Sequence, residues 1–92
     1  MAKSIICNEK ECVKCGNPRV HKHHIFGGAR RNISEKNGFW MYLCAAHHNM
    51  SDEGIHFNAS FDRKAKAFCQ KVYERSHSHE EFMALIGRNY ID

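Results

Sequence analysis

Three features of the 92-residue chain predict a small α+β domain stapled by a metal ion. Two runs of strand length precede position 45, helical patterns fill the C-terminal third, and two cysteine and histidine half-sites have metal-ligand spacing. The length suits a single domain, residues 1–92. A chain this short buries a modest core, so an added staple is expected. With 42% apolar and 11% aromatic residues it carries enough nonpolar surface to fold.

The elements follow in order. Cys12-Val-Lys-Cys15-Gly16-Asn17 is a tight turn, closed by the single proline, Pro18. Residues 19–26 read as the first strand, bounded by Pro18 and by Gly27-Gly28. Residues 29–36 are a polar, basic connection with a helical turn starting at Ser34, and Asn37-Gly38 is a second turn. The aromatic run at residues 39–43 is the second strand. A short helix begins near Cys44 and ends before Gly54. Phe61, Ala65, Phe68 and Val72 form a helical stripe expected to pack into the core, on a helix reaching about Arg75. Ser78 and Glu81 make a capping-box pattern for a last helix over residues 80–86, closed by Gly87. The motif-bearing part is residues 12–58, followed by a helical extension over residues 60–92.

Eight histidines and an odd count of five cysteines point to metal rather than disulfides. Cys12 and Cys15 at a glycine turn are one half of a zinc site. Cys44 and His47, three apart at a helix start, share a face and can supply the other half. Cys7 competes with His47 as fourth ligand, and a redox dithiol competes for Cys12 and Cys15, though no thioredoxin-like pattern surrounds them. Cys69 falls beside the helical stripe and reads as a core thiol.

The formal charge of +4 is concentrated. Residues 19–36 hold Arg19, Lys22, Arg30, Arg31 and Lys36 against Glu35 alone, while the remaining chain balances nine basic with nine acidic residues. A basic segment in a neutral domain suggests contact with an anionic partner, most often nucleic acid, although a solvated loop has the same composition. No apolar run approaches about 18 residues, and the first residues lack the apolar stretch of a signal peptide. The expectation is a cytoplasmic chain with no membrane segment and reduced thiols.

Beyond the zinc half-sites, histidines cluster at His21, His23-His24, His48 and His56. Neighbours on a strand point apart, so of His23 and His24 one can hold a metal while the other stays available as a base. His47 and His48 diverge by about 100° on a helix, so one can face zinc and the other a second site. His21 shares a strand face with His23 and reads as a rival ligand or as a surface or DNA contact. His77 and His79 read as ordinary polar residues, and Phe39, Trp40 and Tyr42 as core.

Taken together, Cys12-x-x-Cys15, His23-His24-Ile25 and Leu43-Cys44-x-x-His47-His48-Asn49 resemble the HNH endonucleases of the ββα-metal superfamily. Gly54-Ile-His-Phe-Asn and Gly87-Arg-Asn-Tyr look like small phage- and prophage-associated members. The resemblance implies a zinc-stabilised ββα-metal domain with two added C-terminal helices. It implies His24 as general base, His23 and His48 as ligands of one catalytic divalent cation (Mg²⁺, Mn²⁺, Ni²⁺ or Zn²⁺), and Asn37 as the middle asparagine of the motif. His56 is the third ligand, with Asp52 its substitute, and family members more often have cysteine where His47 stands. The implied reaction is hydrolysis of DNA phosphodiesters, leaving a 3′ hydroxyl and a 5′ phosphate. The implied partner is double-stranded DNA with weak sequence preference, in a bacterial or phage-infected cell, with packaging or recombination proteins as further partners. A monomer or weak dimer is expected. The competing readings are a zinc-containing module that binds nucleic acid without cutting it and an accessory protein of phage DNA packaging.

Overall fold

Two antiparallel strands, β1 (Val20–His24) and β2 (Trp40–Cys44), pair from Val20↔Cys44 to His24↔Trp40. The computed structural model describes residues 3–48, 55 and 58–91. Between the strands run a single 3-10 turn (Gly28–Arg30) and helix α1 (Arg31–Asn37); after them come α2 (Ala45–His48), α3 (Ala59–Tyr73) and α4 (His79–Ile86). The chain is thus a small α+β unit with a two-stranded sheet. Among the described residues no helix is long and apolar enough to cross a membrane.

Several boundaries differ from the sequence expectation. β1 ends at His24: the Ile25 N–H still reaches the Phe39 carbonyl in register, but the Phe26 N–H goes to the Ser34 hydroxyl and leaves the ladder. The connection expected to be mostly irregular is largely helical. Helix α1 begins at Arg31, three residues before Ser34, and ends at a left-handed Gly38 with φ +74°. Gly38 is required there twice, since a Cβ would also collide with the Lys3 carbonyl. The N-terminal segment crosses at this point, with the Ile5 N–H donating to the Gly38 carbonyl at 3.0 Å.

Helix α2 starts at Ala45, and its extent toward Gly54 lies outside the described residues. Helix α3 starts before Phe61 because the Asn58 side chain accepts the Phe61 N–H at 3.0 Å, a local cap the apolar stripe does not reveal. It ends at Tyr73, and Arg75 lies just beyond. Helix α4 carries the expected capping box between Ser78 and Glu81 and the left-handed Gly87, starting one residue early at His79.

The core gathers Ile25, Phe26, Phe39, Leu43, Cys69, Phe82 and Ile86. The Phe39 ring lies edge-on to Tyr73 at 5.3 Å and to Phe26 at 5.7 Å, and Phe26 also meets Phe82 at 5.8 Å. Aromatic pairs in such tilted geometries add roughly 0.5–1.5 kcal/mol each beyond their buried area. The expected core stripe on α3 needs correction. Ala65, Cys69, Gln70 and Tyr73 are its buried residues, whereas Phe68 is 48% exposed and Phe61 and Val72 are only half-buried. Consecutive helical residues differ by about 100°, so burying Cys69 swings Phe68 toward solvent. Gln70 is fully buried and fully used: its amide donates to Glu74 and Asn89, and its carbonyl accepts the Tyr90 N–H. That network pins the C-terminal tail onto α3.

Candidate metal centre and adjoining histidine site

The Cys12–Cys15 turn is built by backbone bonds. Gly16, at φ +78°, donates its N–H to the Cys12 carbonyl at 2.7 Å, and the Cys12 N–H reaches the Asn17 carbonyl at 2.9 Å. The Val13 N–H donates to the Tyr42 carbonyl at 3.1 Å, docking the turn against β2. Two residues further along that strand stands Cys44, and three more bring His47 on α2.

These elements converge four ligand atoms, the sulfurs of Cys12, Cys15 and Cys44 and a ring nitrogen of His47, all within 4.8 Å of one another. Cys15 Sγ lies 3.7 Å from Cys44 Sγ, and Cys12 Sγ lies 3.6 Å from His47 Nδ1. Tetrahedral zinc with its usual Zn–S and Zn–N bonds has ligand-to-ligand edges of about 3.4–3.8 Å, which these spans match. The span from Cys44 Sγ to His47 Nδ1, 3.1 Å, is a little shorter. Three soft thiolate donors and one imidazole suit zinc. The group can therefore hold a structural metal ion such as zinc. Cys7 lies outside this group.

The thiols are unequal. Burial opposes ionisation of Cys12, but backbone N–H groups at Cys44, Lys14 and Cys15 outweigh it and bring the thiol down to about 6. At Cys15 the Asn17 backbone favours the thiolate, yet burial and the neighbouring sulfurs of Cys44 and Cys12 push the thiol up. Like charges on adjacent sulfurs repel until a cation sits among them. Cys69 stands apart, fully buried, its thiol pushed up to about 12 by burial.

The histidines of β1 divide between the two faces of the strand. On one face, buried His23 meets the His48 ring edge-on at 5.3 Å, and His21 stacks on the same ring at 6.0 Å. On the other face, His24 Nε2 lies 2.6 Å from Glu35 Oε2, and Lys22 Nζ lies 2.8 Å from Glu35 Oε1. Lys22 also sits over the Trp40 ring, 4.3 Å from its centre. Lys22 first, then His24, hold the Glu35 carboxyl below its ordinary value. Lys22, His24, Arg31, Asn32 and Glu35 line an open depression of about 570 Å³.

Other sequence-predicted residues are placed as follows. Arg19, Arg30, Arg31 and Lys36 are exposed, but Arg30 directs its Nε–H to the Ile86 carbonyl at 2.7 Å, tying the connection to the end of α4. Asn37 uses its side-chain amide on the Ile33 carbonyl at 2.8 Å, within its own helix, and no bond from it to His24 is formed. His56 and Asp52 lie outside the described residues. His79 pairs with Glu74 at 2.9 Å, and the His77 ring stacks on Tyr73 at 4.1 Å. Trp40 and Phe39 are buried as expected, and Tyr42 is half-buried.

Glu35 is the residue that sequence reasoning missed. It entered only as the one acid opposing five basic residues between positions 19 and 36. That isolation was the available signal, because a lone carboxylate among cations has partners within reach wherever the chain folds. No protein-family model, curated protein or solved structure matches the chain.

Proposed function

We propose that the chain is a metal-dependent endonuclease of the HNH type, hydrolysing DNA phosphodiester bonds from a zinc-stabilised ββα-metal fold. The observation that carries this reading is the His24 imidazole braced by Glu35 at 2.6 Å, one residue from His23, which packs against His48. A base and a potential ligand thus stand on adjacent residues of β1, and α2 brings a second potential ligand, His48, against His23. A histidine positioned by a carboxylate is the arrangement general-base chemistry needs.

In the proposed reaction His24 takes a proton from water as the water oxygen bonds to phosphorus. The bond to the 3′ oxygen breaks, giving a 3′ hydroxyl and a 5′ phosphate. A divalent cation held by His23 and His48, with His56 or Asp52 completing the set, would supply a Lewis acid for the phosphate and leaving oxygens. Arg31, on the rim of the depression beside His24, offers a guanidinium to a phosphate of the DNA. Arg19 and Lys36 add exposed positive charge on the same stretch of chain. The base lies outside the zinc-ligand group, so structure and chemistry use separate residues.

A plasmid-nicking assay over a series of divalent ions tests the reading. The zinc-loaded wild type converts supercoiled DNA to the open-circle form, and His24→Ala is slower by about 10²–10⁴-fold. If both are inert in every ion while both bind the plasmid, the chain is a nucleic-acid-binding module and the nuclease reading fails.

A further inference from the structure

We infer that Glu35 is the positioning residue of His24: its carboxylate holds the ring proton on Nε2 and presents Nδ1 as the basic nitrogen. The purpose of this arrangement rests on the proposed nuclease reading, but its geometry does not.

A carboxylate only accepts hydrogen bonds, so a neutral imidazole 2.6 Å away through Nε2 must carry its proton there. The lone pair is then on Nδ1, and a single tautomer is selected. Positioning of this kind needs a carboxylate that is itself fixed, and three contacts fix this one. Lys22, two residues before His24 on the same strand face, takes the second carboxylate oxygen at 2.8 Å. The Lys22 ammonium is steadied over Trp40, which faces His24 in the strand register. Helix α1 is anchored one residue before Glu35, where the buried Ser34 hydroxyl donates to the Phe26 carbonyl at 2.7 Å and accepts the Phe26 N–H at 3.2 Å. Phe26 lies two residues past His24, so that bond sets the distance between helix and strand.

An isolated exposed ion pair is worth little and wanders among geometries. Here one carboxylate is divided between two donors from adjacent same-face positions, and the His24 side chain is only 16% exposed. Lys22, expected from sequence to contact DNA, is committed to this arrangement.

The test reads the tautomer directly. Nitrogen-15 spectra of the histidine rings are recorded on the zinc-loaded full chain, without added catalytic cation, at about pH 8, above the ordinary imidazole value. Wild type is expected to show His24 as the Nε2–H form alone, and Glu35→Gln, whose amide can donate or accept, to show a mixture. Lys22→Met leaves the acceptor-only carboxylate and the Ser34 anchor in place and is expected to retain the single form, with the Glu35 side chain less fixed. A mixture or the Nδ1–H form in wild type overturns the inference, as does an unchanged ratio in Glu35→Gln. If Glu35→Gln fails to fold, the wild-type spectrum alone still decides. In the cleavage assay Glu35→Gln lowers kcat by about 10–100-fold with KM nearly unchanged, the size of effect seen when the hydrogen-bond partner behind a metal-ligating histidine is removed. A wild type that shows the single tautomer but never nicks DNA retains the positioning role and loses the proposed reaction.

Discussion

His24 and Glu35 stand on different elements, eleven residues apart in the chain, yet the ring nitrogen and the carboxylate oxygen meet at 2.6 Å. The pairing also marks the acid response of the fold. Lys22 and His24 hold the Glu35 carboxyl below its ordinary 4.5. As pH falls, the unfolded chain takes up this proton before the folded one. The contribution of Glu35 is therefore complete above 4.5 and disappears as pH falls through the lower folded value. Melting temperatures of wild type and Glu35→Gln should differ at neutral pH and converge as pH falls below 4.5. Loss of metal in acid affects both proteins and cancels in the comparison. A constant gap across that range contradicts the assignment.

Metal analysis should find one tightly held zinc per chain. Binding at comparable four-ligand sites is worth roughly 10–16 kcal/mol, against a whole-domain stability of roughly 5–15 kcal/mol. Cys12→Ser or a strong chelator should therefore abolish the cooperative melting transition, while Cys7→Ser should keep both the ion and the transition. Zinc retained at full occupancy in Cys12→Ser would remove the turn from the ligand set.

Cys69 should resist alkylation in the native protein. It is fully buried, and a thiol at about 12 rather than the ordinary 9.0 has roughly a thousandfold smaller thiolate fraction at neutral pH. Peptide mapping after iodoacetamide treatment should show Cys7, which is half-buried, labelled well before Cys69. Equal labelling without denaturant would mean that α3 does not bury this residue.

The two faces of α3 and the core of α4 predict unequal costs. Phe82 is fully buried against Phe26, Phe39 and Tyr73, so Phe82→Ala should cost about 3–5 kcal/mol in urea unfolding. Phe68 is 48% exposed, and Phe68→Ser should cost less than about 1 kcal/mol. Similar costs for the two would return Phe68 to the core.

Those contrasts show where the sequence was legible. The strands were readable to within one or two residues, because Pro18 and Gly27-Gly28 bracket one and Asn37-Gly38 precedes the other. Ser78, Glu81 and Gly87 announced α4 through local chemistry that needs no tertiary context. The four residues that can hold a metal ion were readable because coordination fixes both residue type and spacing. Helix α1 was harder. Its sequence, RNISEKN, has one apolar residue, Ile33, and hence no stripe; Ser34 binding the Phe26 backbone and Gly38 ending the helix hold it in place. The face of α3 was read in part: Ala65 and Cys69 were expected in the core and are buried, but Phe68 was grouped with them for its apolar bulk, and the buried Gln70 gives no hydrophobic signal. The Glu35 contact depends on how α1 docks and has no periodic signature at all.

The candidate metal ligands Cys12 and His47 are separated by 35 positions, and both strands and α1 lie between them. Joining the ends of such a segment removes freedom from the unfolded chain. A covalent bridge over the same span would account for roughly 4 kcal/mol by that route. An ion ligated early in folding would turn a distant encounter into a local one, since the outermost strand pair, Val20↔Cys44, then forms within a loop already closed. The four side chains that can hold an ion would therefore also govern how quickly the hairpin finds its register.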